Sequence, residues 1–223
     1  MSPLIPIAAP SPNFNDRKSP IRFIVLHYTG METGAAALER MRDPDAQVAA
    51  HYMIEENGDV YALVDEDKRA WHAGVSSWMG ETDINSASIG IEIVNGGHDF
   101  GLPEFPDVQI EVVIALVRDV MRRHLLAPRD VIGHSDIAPG RKNDPGEKFP
   151  WRHLAEAGCA VWPDLQHADS GGVEGQLRRI GYNSDAEQAA VIRAFQQRFR
   201  PDRCDGVLDR ETTKLISALA VMS

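Results

Sequence analysis

The pattern of apolar and polar positions divides the chain into two unlike parts. Ahead of about residue 165, short apolar runs of strand length alternate with polar turns and with helical spacing. Residues 21–26 form a run rich in β-branched side chains, which predicts a strand that delivers His27 at its end. Residues 34–42 predict a short helix, stopped near Pro44. Residues 51–54 and 60–64 predict a hairpin around Asn57-Gly58, because both central residues of a type I′ turn need positive φ. A further strand is predicted over 88–94, its apolar face broken by Gly90 and Glu92. Over 107–125, Val108, Val112, Leu116 and Val120 recur at helical spacing and predict a long amphipathic helix. Pro128 follows, and Val131-Ile132 predicts a short strand leading into Gly133-His134. Gly and Pro punctuate 139–150, which reads as a loop. Strands interleaved with helices place this part in the α/β class, with a mixed central sheet flanked by helices.

Between Pro163 and Gly175 the composition turns to Asp, Gln, His, Ser and Gly, the signature of a linker. Beyond it the spacing is wholly helical. Leu177 and Ile180 end at Gly181, Val191, Ile192, Phe195 and Phe199 mark a second helix, and Leu215, Ile216 and Leu219 a third. The expected organisation is therefore a first domain over 1–165, a linker over 166–174 and a small all-α three-helix domain over 175–223. A unit of roughly 50 residues has a small core and is marginal alone.

Composition narrows the classes of function. Hydrophobic residues make up 43% of the 223, ordinary for a soluble globular chain rather than a disordered one. The net charge of −10, carried by 33 acidic against 23 basic side chains, argues against nucleic acid or an anionic membrane as partner. Cys159 and Cys204 lack the paired spacing of a cysteine zinc site. No apolar run reaches the ~20 residues of a membrane span. The Pro-rich start lacks both a basic region and a continuous apolar stretch, so no signal peptide is visible and the cytoplasm is the expected location, with the periplasm or envelope as the alternative.

Three segments carry metal-capable side chains: His27 at a strand end, His134 in Gly133-His134-Ser135-Asp136, and Asp144 in Asn143-Asp144-Pro145-Gly146. Two imidazoles and a carboxylate leave a fourth tetrahedral position for water, as a catalytic zinc requires. Zinc would lower the pKa of that water towards ~7 and polarise a carbonyl, which is the chemistry of amide hydrolysis. Scattered through the sequence, the three are not certified by any short pattern, and hydrogen-bonded structural histidines are the competing reading.

Particular strings add to this. Ile24-Val25-Leu26-His27-Tyr28-Thr29, Ala50-His51-Tyr52-Met53-Ile54, Arg69-Ala70-Trp71-His72-Ala73-Gly74, Ser88-Ile89-Gly90-Ile91-Glu92-Ile93, Gly133-His134-Ser135-Asp136-Ile137-Ala138-Pro139 and Arg141-Lys142-Asn143-Asp144-Pro145-Gly146 occur in this order. Together they resemble the type-2 family of bacterial N-acetylmuramoyl-L-alanine amidases, whose fold is shared by amidase-type phage lysozymes and peptidoglycan recognition proteins. The resemblance implies that His27, His134 and Asp144 are zinc (Zn2+) ligands. It implies that Glu92 moves the proton of the attacking water and that Lys142 stabilises the oxyanion. Trp71 and His72 are candidates to line a saccharide or peptide groove, with a core aromatic as the other reading of Trp71. His51 is a further candidate for substrate, or else a satisfied interior histidine. Arg141 is suited to a peptide carboxylate or to bracing its loop. His98, His124, His153 and His167 are given no chemistry.

Residues 175–223 resemble the small three-helix peptidoglycan-binding domain attached to wall hydrolases, through Leu177, Gly181-Tyr182, Val191, Phe195-Gln196, Asp205-Gly206, Asp209 and Thr212 to Leu215, with a helical cap that only packs on the first domain as the other reading. The function implied is hydrolysis of the amide between the muramoyl lactyl group and L-alanine, in peptidoglycan or in muropeptide fragments. A non-catalytic peptidoglycan-binding module and a zinc peptidase are the alternatives. Where the recycling branch of the family has an arginine, the nearest counterpart is Asp83, which leaves intact murein, released muropeptides and 1,6-anhydro fragments all open as the substrate form.

Overall fold

The computed structural model describes residues 4–167, 169–183 and 185–222. Six strands form the main sheet: β1 (Ile7–Ala8), β3 (Phe23–Tyr28), β4 (Tyr52–Ile54), β5 (Val60–Ala62), β7 (Ser88–Ile93) and β8 (Val131–Gly133), in the order β1-β5-β4-β7-β3-β8. The chain thus has the α/β architecture expected, with a mixed sheet in which β4 and β5 alone run antiparallel. β2 (Phe14–Asp16) and β6 (Lys68–Ala70) form a separate two-stranded ribbon.

Both faces of the central strands are covered, which explains their nearly continuous apolar sequence. Ile24 and Leu26 of β3 join Ile89, Ile91 and Ile93 of β7 in packing under α3 (Asp107–His124), through Val113, Val117 and Val120. Alternation sends Phe23 and Val25 to the opposite face. There they meet Ile84 and Ala87 of α2 (Ile84–Ala87) and Ile137 of α4 (His134–Ile137). The same core takes in Leu177 of α6 (Val173–Ile180), Phe195 and Phe199 of α7 (Gln188–Phe199) and Ile216 of α8 (Arg210–Ala220). Each such side chain contributes roughly 1.5–3 kcal/mol by leaving water. A buried ion pair joins these layers: Arg198 on α7 lies 2.7 Å from Asp136 on α4.

Several expected details shift. β3 starts at Phe23 and runs through Tyr28, so His27 lies within the strand, paired opposite Glu92, and not beyond its end. The 55–59 turn is not type I′. Only Gly58 has positive φ, at 91°, and its N–H donates to the Glu55 carbonyl at 2.9 Å. Asn57 instead uses its side-chain oxygen to accept the Asp59 N–H, giving a three-residue loop with glycine at the bulge. The short edge strands β1, β2 and β6, and α5 (Trp151–Glu156), have too few residues to show a period. Both cysteines are free. Among the described residues no helix is long and apolar enough to cross a membrane.

Candidate metal centre

The register of the parallel strands brings three chain segments to one end of the sheet. Leu26 of β3 pairs with Gly133 of β8, so His27 and His134 follow side by side. His134 opens α4, and the loop after that helix returns to it because the Ser135 N–H donates to the Asp144 carbonyl at 2.8 Å. All three candidate ligands are buried.

Their atoms converge. His27 Nδ1 lies 2.9 Å from His134 Nδ1 and 3.0 Å from Asp144 Oδ2, and His134 Nδ1 is 2.9 Å from that oxygen. His134 Nε2 is 3.1 Å from the Ala73 carbonyl, which can only accept, so it carries the ring hydrogen and a neutral ring presents a bare Nδ1. A lone pair and a carboxylate oxygen then face each other with no hydrogen between them. That contact is unfavourable in the interior unless a cation neutralises it, and the donor set is one that could hold a metal ion. Burial, reinforced by neighbouring His134, lowers the His27 pKa to about 4, keeping the ring neutral.

Glu92 stands across from His27 on β7, on the same side of the sheet. Its Oε2 is buried and has no hydrogen-bond partner among the described residues. Burial, and then the charge of Asp144, push its pKa well above the ordinary value, with Lys142 opposing them. Lys142 is half-buried on the loop that carries Asp144.

The other expected residues separate. Arg141 donates to the carbonyls of Ala73 at 2.7 Å and Val75 at 2.6 Å, tying the metal-site loop to the 73–76 segment. Trp71 is half-buried, and its indole N–H donates to Asn15 on β2. His72 points the other way, into the protein, 3.0 Å from His27 Nε2. Behind it lies the fully buried His51, whose Nδ1 accepts the Gly90 N–H at 2.9 Å and whose Nε2 is 3.1 Å from the Lys68 carbonyl. Sequence reasoning passed over Asn85 and Ser88, which hold His72 and Ala73, and Arg198 with Asp136. Nothing in local periodicity marks them, since each acts across the fold.

Known proteins resemble this chain in sequence and in fold. The model of the N-acetylmuramoyl-L-alanine amidase family (Amidase_2) matches residues 17–147. The N-acetylmuramoyl-L-alanine amidase AmiD of Escherichia coli K12 is 36% identical over an alignment of 231 positions that covers 89% of this chain and 82% of that protein. Its solved complex with the substrate anhydro-N-acetylmuramic acid-L-Ala-D-gamma-Glu-L-Lys superposes with a TM-score of 0.82 at 34% identity, covering 96% of this chain and 91% of that one. AMPDH3 of Pseudomonas aeruginosa, solved with anhydromuramic pentapeptide, gives a TM-score of 0.81 at 35% identity, over 91% of this chain and 92% of its own. With the family model spanning more than half of the sequence and a relative this similar along nearly its whole length, the chain belongs to the N-acetylmuramoyl-L-alanine amidase family.

Proposed function

We propose that this protein is a zinc amidase that hydrolyses the bond between the lactyl carbonyl of N-acetylmuramic acid and L-alanine in peptidoglycan or its muropeptide fragments. The observation that carries the proposal is the buried convergence of His27, His134 and Asp144 beside a carboxylate, Glu92, whose buried Oε2 has no hydrogen-bond partner among the described residues. Zinc held by those three would supply Lewis acidity to the scissile carbonyl and to water. Glu92, with its proton affinity raised by burial, takes the proton of the attacking water and returns it to the departing amine of L-alanine. Lys142 opposes the negative charge that develops on the carbonyl oxygen. Arg141 remains at the outer edge, where it lines an open groove with Val75 and Ala138.

Anhydromuropeptides bound by two relatives support fragments of this kind as substrates. Asp83 does not oppose that reading, because its carboxylate caps α2 and pairs with Arg69 at 2.8 Å. The division at 166–174 is kept in this proposal, with the helical unit of 175–223 as a wall contact built onto the core of the amidase unit.

Mass spectrometry of a defined muropeptide incubated with the purified protein tests the reading. Free stem peptide is expected, and it should vanish after chelation and return with added zinc. A zinc-loaded protein that binds the muropeptide and leaves it intact would replace the enzyme with a binding module.

A further inference from the structure

The ring of His27 is supported from behind by another imidazole. His27 Nε2 lies 3.0 Å from His72 Nδ1, and His72 Nε2 lies 3.2 Å from Ser88 Oγ. Ser88, the first residue of β7, donates its hydroxyl hydrogen to the Ile84 carbonyl at 2.6 Å. A hydroxyl has one hydrogen, so with it committed to a carbonyl, the oxygen can only accept from His72. His72 Nε2 must then carry the ring hydrogen, and a neutral ring leaves Nδ1 bare. The hydrogen between the two imidazoles therefore belongs to His27 Nε2. His27 Nδ1 is left as a lone pair, facing His134 and Asp144.

The surroundings hold this chain of bonds in one direction. A Cβ on Gly90 would lie 2.5 Å from His72 Cγ, so the ring rests against a strand backbone that only glycine leaves free. On another side the His51 ring meets it edge-on, with centroids 5.8 Å apart and planes at 70°. Asn85 Oδ1 accepts the backbone N–H of both His72, at 3.0 Å, and Ala73, at 2.7 Å. The dipeptide it fixes receives the outer nitrogen of both imidazole ligands: His72 Nδ1 for His27, and the Ala73 carbonyl for His134.

We propose that His72, directed by Ser88, is a positioning residue that locks His27 in the Nε2–H tautomer and so presents Nδ1 to the metal. The inference rests on the metal reading above. The opposite tautomer would place an N–H in the donor cluster, where it competes with the cation. Groups that orient a ligating histidine in this way typically change metal affinity by roughly 10–100-fold when lost.

Two measurements test the proposal. In the wild-type protein without metal, nitrogen-15 NMR of the imidazoles should report Nε2–H on both His27 and His72; Nδ1–H on either overturns the relay without any variant being made. Zinc affinity, measured by competition with a chromophoric chelator, should fall roughly 10–100-fold in His72→Leu. It should recover largely in His72→Asn, whose side-chain oxygen can accept from His27 Nε2, and fall by a smaller factor in Ser88→Ala. Equal losses in His72→Leu and His72→Asn, or none, overturn the proposal while leaving wild-type zinc binding intact. Failure of the wild-type protein to bind zinc would instead sink the metal reading, and this inference with it.

Discussion

Arg198→Met removes a cation from the interface between the helical unit and the metal site. The guanidinium and the Asp136 carboxylate are only 4% and 1% exposed and 2.7 Å apart. Arg198 also donates to the Val131 carbonyl at 2.9 Å and lies over the Trp151 ring, 4.1 Å from its centroid. Methionine restores an unbranched apolar chain but no charge. Asp136 would keep the Tyr182 hydroxyl at 2.6 Å and the Gly133 N–H at 2.9 Å, but as a buried anion without its cation. Removing one partner of a buried pair costs roughly 3–5 kcal/mol. For a chain of this length, each kcal/mol lowers Tm by about 2–4 °C, so a fall on the order of 10 °C is expected. Circular dichroism melts and urea titrations measure it. Adding Asp136→Asn should bring the double variant's loss below the sum of the single losses, since the neutral amide no longer needs a cation. Because Asp136 stands two residues after His134, zinc affinity should fall together with stability. A stability change within about 0.5 kcal/mol, the range of an ordinary surface substitution, would refute the bracing argument.

Glu92→Gln should lower kcat by roughly 10²–10⁴-fold with zinc binding retained, and near-normal turnover would remove Glu92 from the proton path. For His51, the unfolded chain takes up a proton near pH 6.5 while the buried ring resists until about pH 4. Its contribution to stability is therefore complete above about 6.5 and is lost as pH falls through that window, at most about 1.4 kcal/mol per unit. Between pH 7.5 and 5 the wild type should lose about 2 kcal/mol more than His51→Gln in urea titrations, and parallel pH profiles would contradict this. Gly90→Ala should destabilise by about 1–3 kcal/mol by pushing the His72 ring aside, and should weaken zinc binding as well; a variant with wild-type Tm and affinity would show that the ring is free to move.

Much of the fold was legible because its elements are periodic. The run that became β3, the helix over 34–42 and the long α3 each repeat a local pattern often enough to be recognised. β1, β2 and β6 are two or three residues long and, unlike the equally short β4, β5 and β8, lie in stretches broken by proline or polar in sequence, so they are defined only by the hydrogen bonds a neighbouring strand offers. The turn at Asn57-Gly58 shows the same limit. Its sequence specified a hairpin, but the local competition between a positive φ at Asn57 and its side-chain bond to Asp59 was settled only in the folded backbone.

At the site, the sequence by itself determined which side chains are present and, through ordered strings, the family to which they belong. It also predicted three helices after residue 175. Only the tertiary structure decided that Phe195 and Ile216 fill the same core as Val25, and that Arg198 reaches Asp136. It likewise turned His72 inward to His27 while Trp71, one residue earlier, engages Asn15. The physical reason is range. Helix and strand periods are set by neighbours a few residues apart, whereas the partners of a buried polar atom are chosen by desolvation among all groups the fold brings within hydrogen-bond distance, here across separations of up to 117 residues between His27 and Asp144.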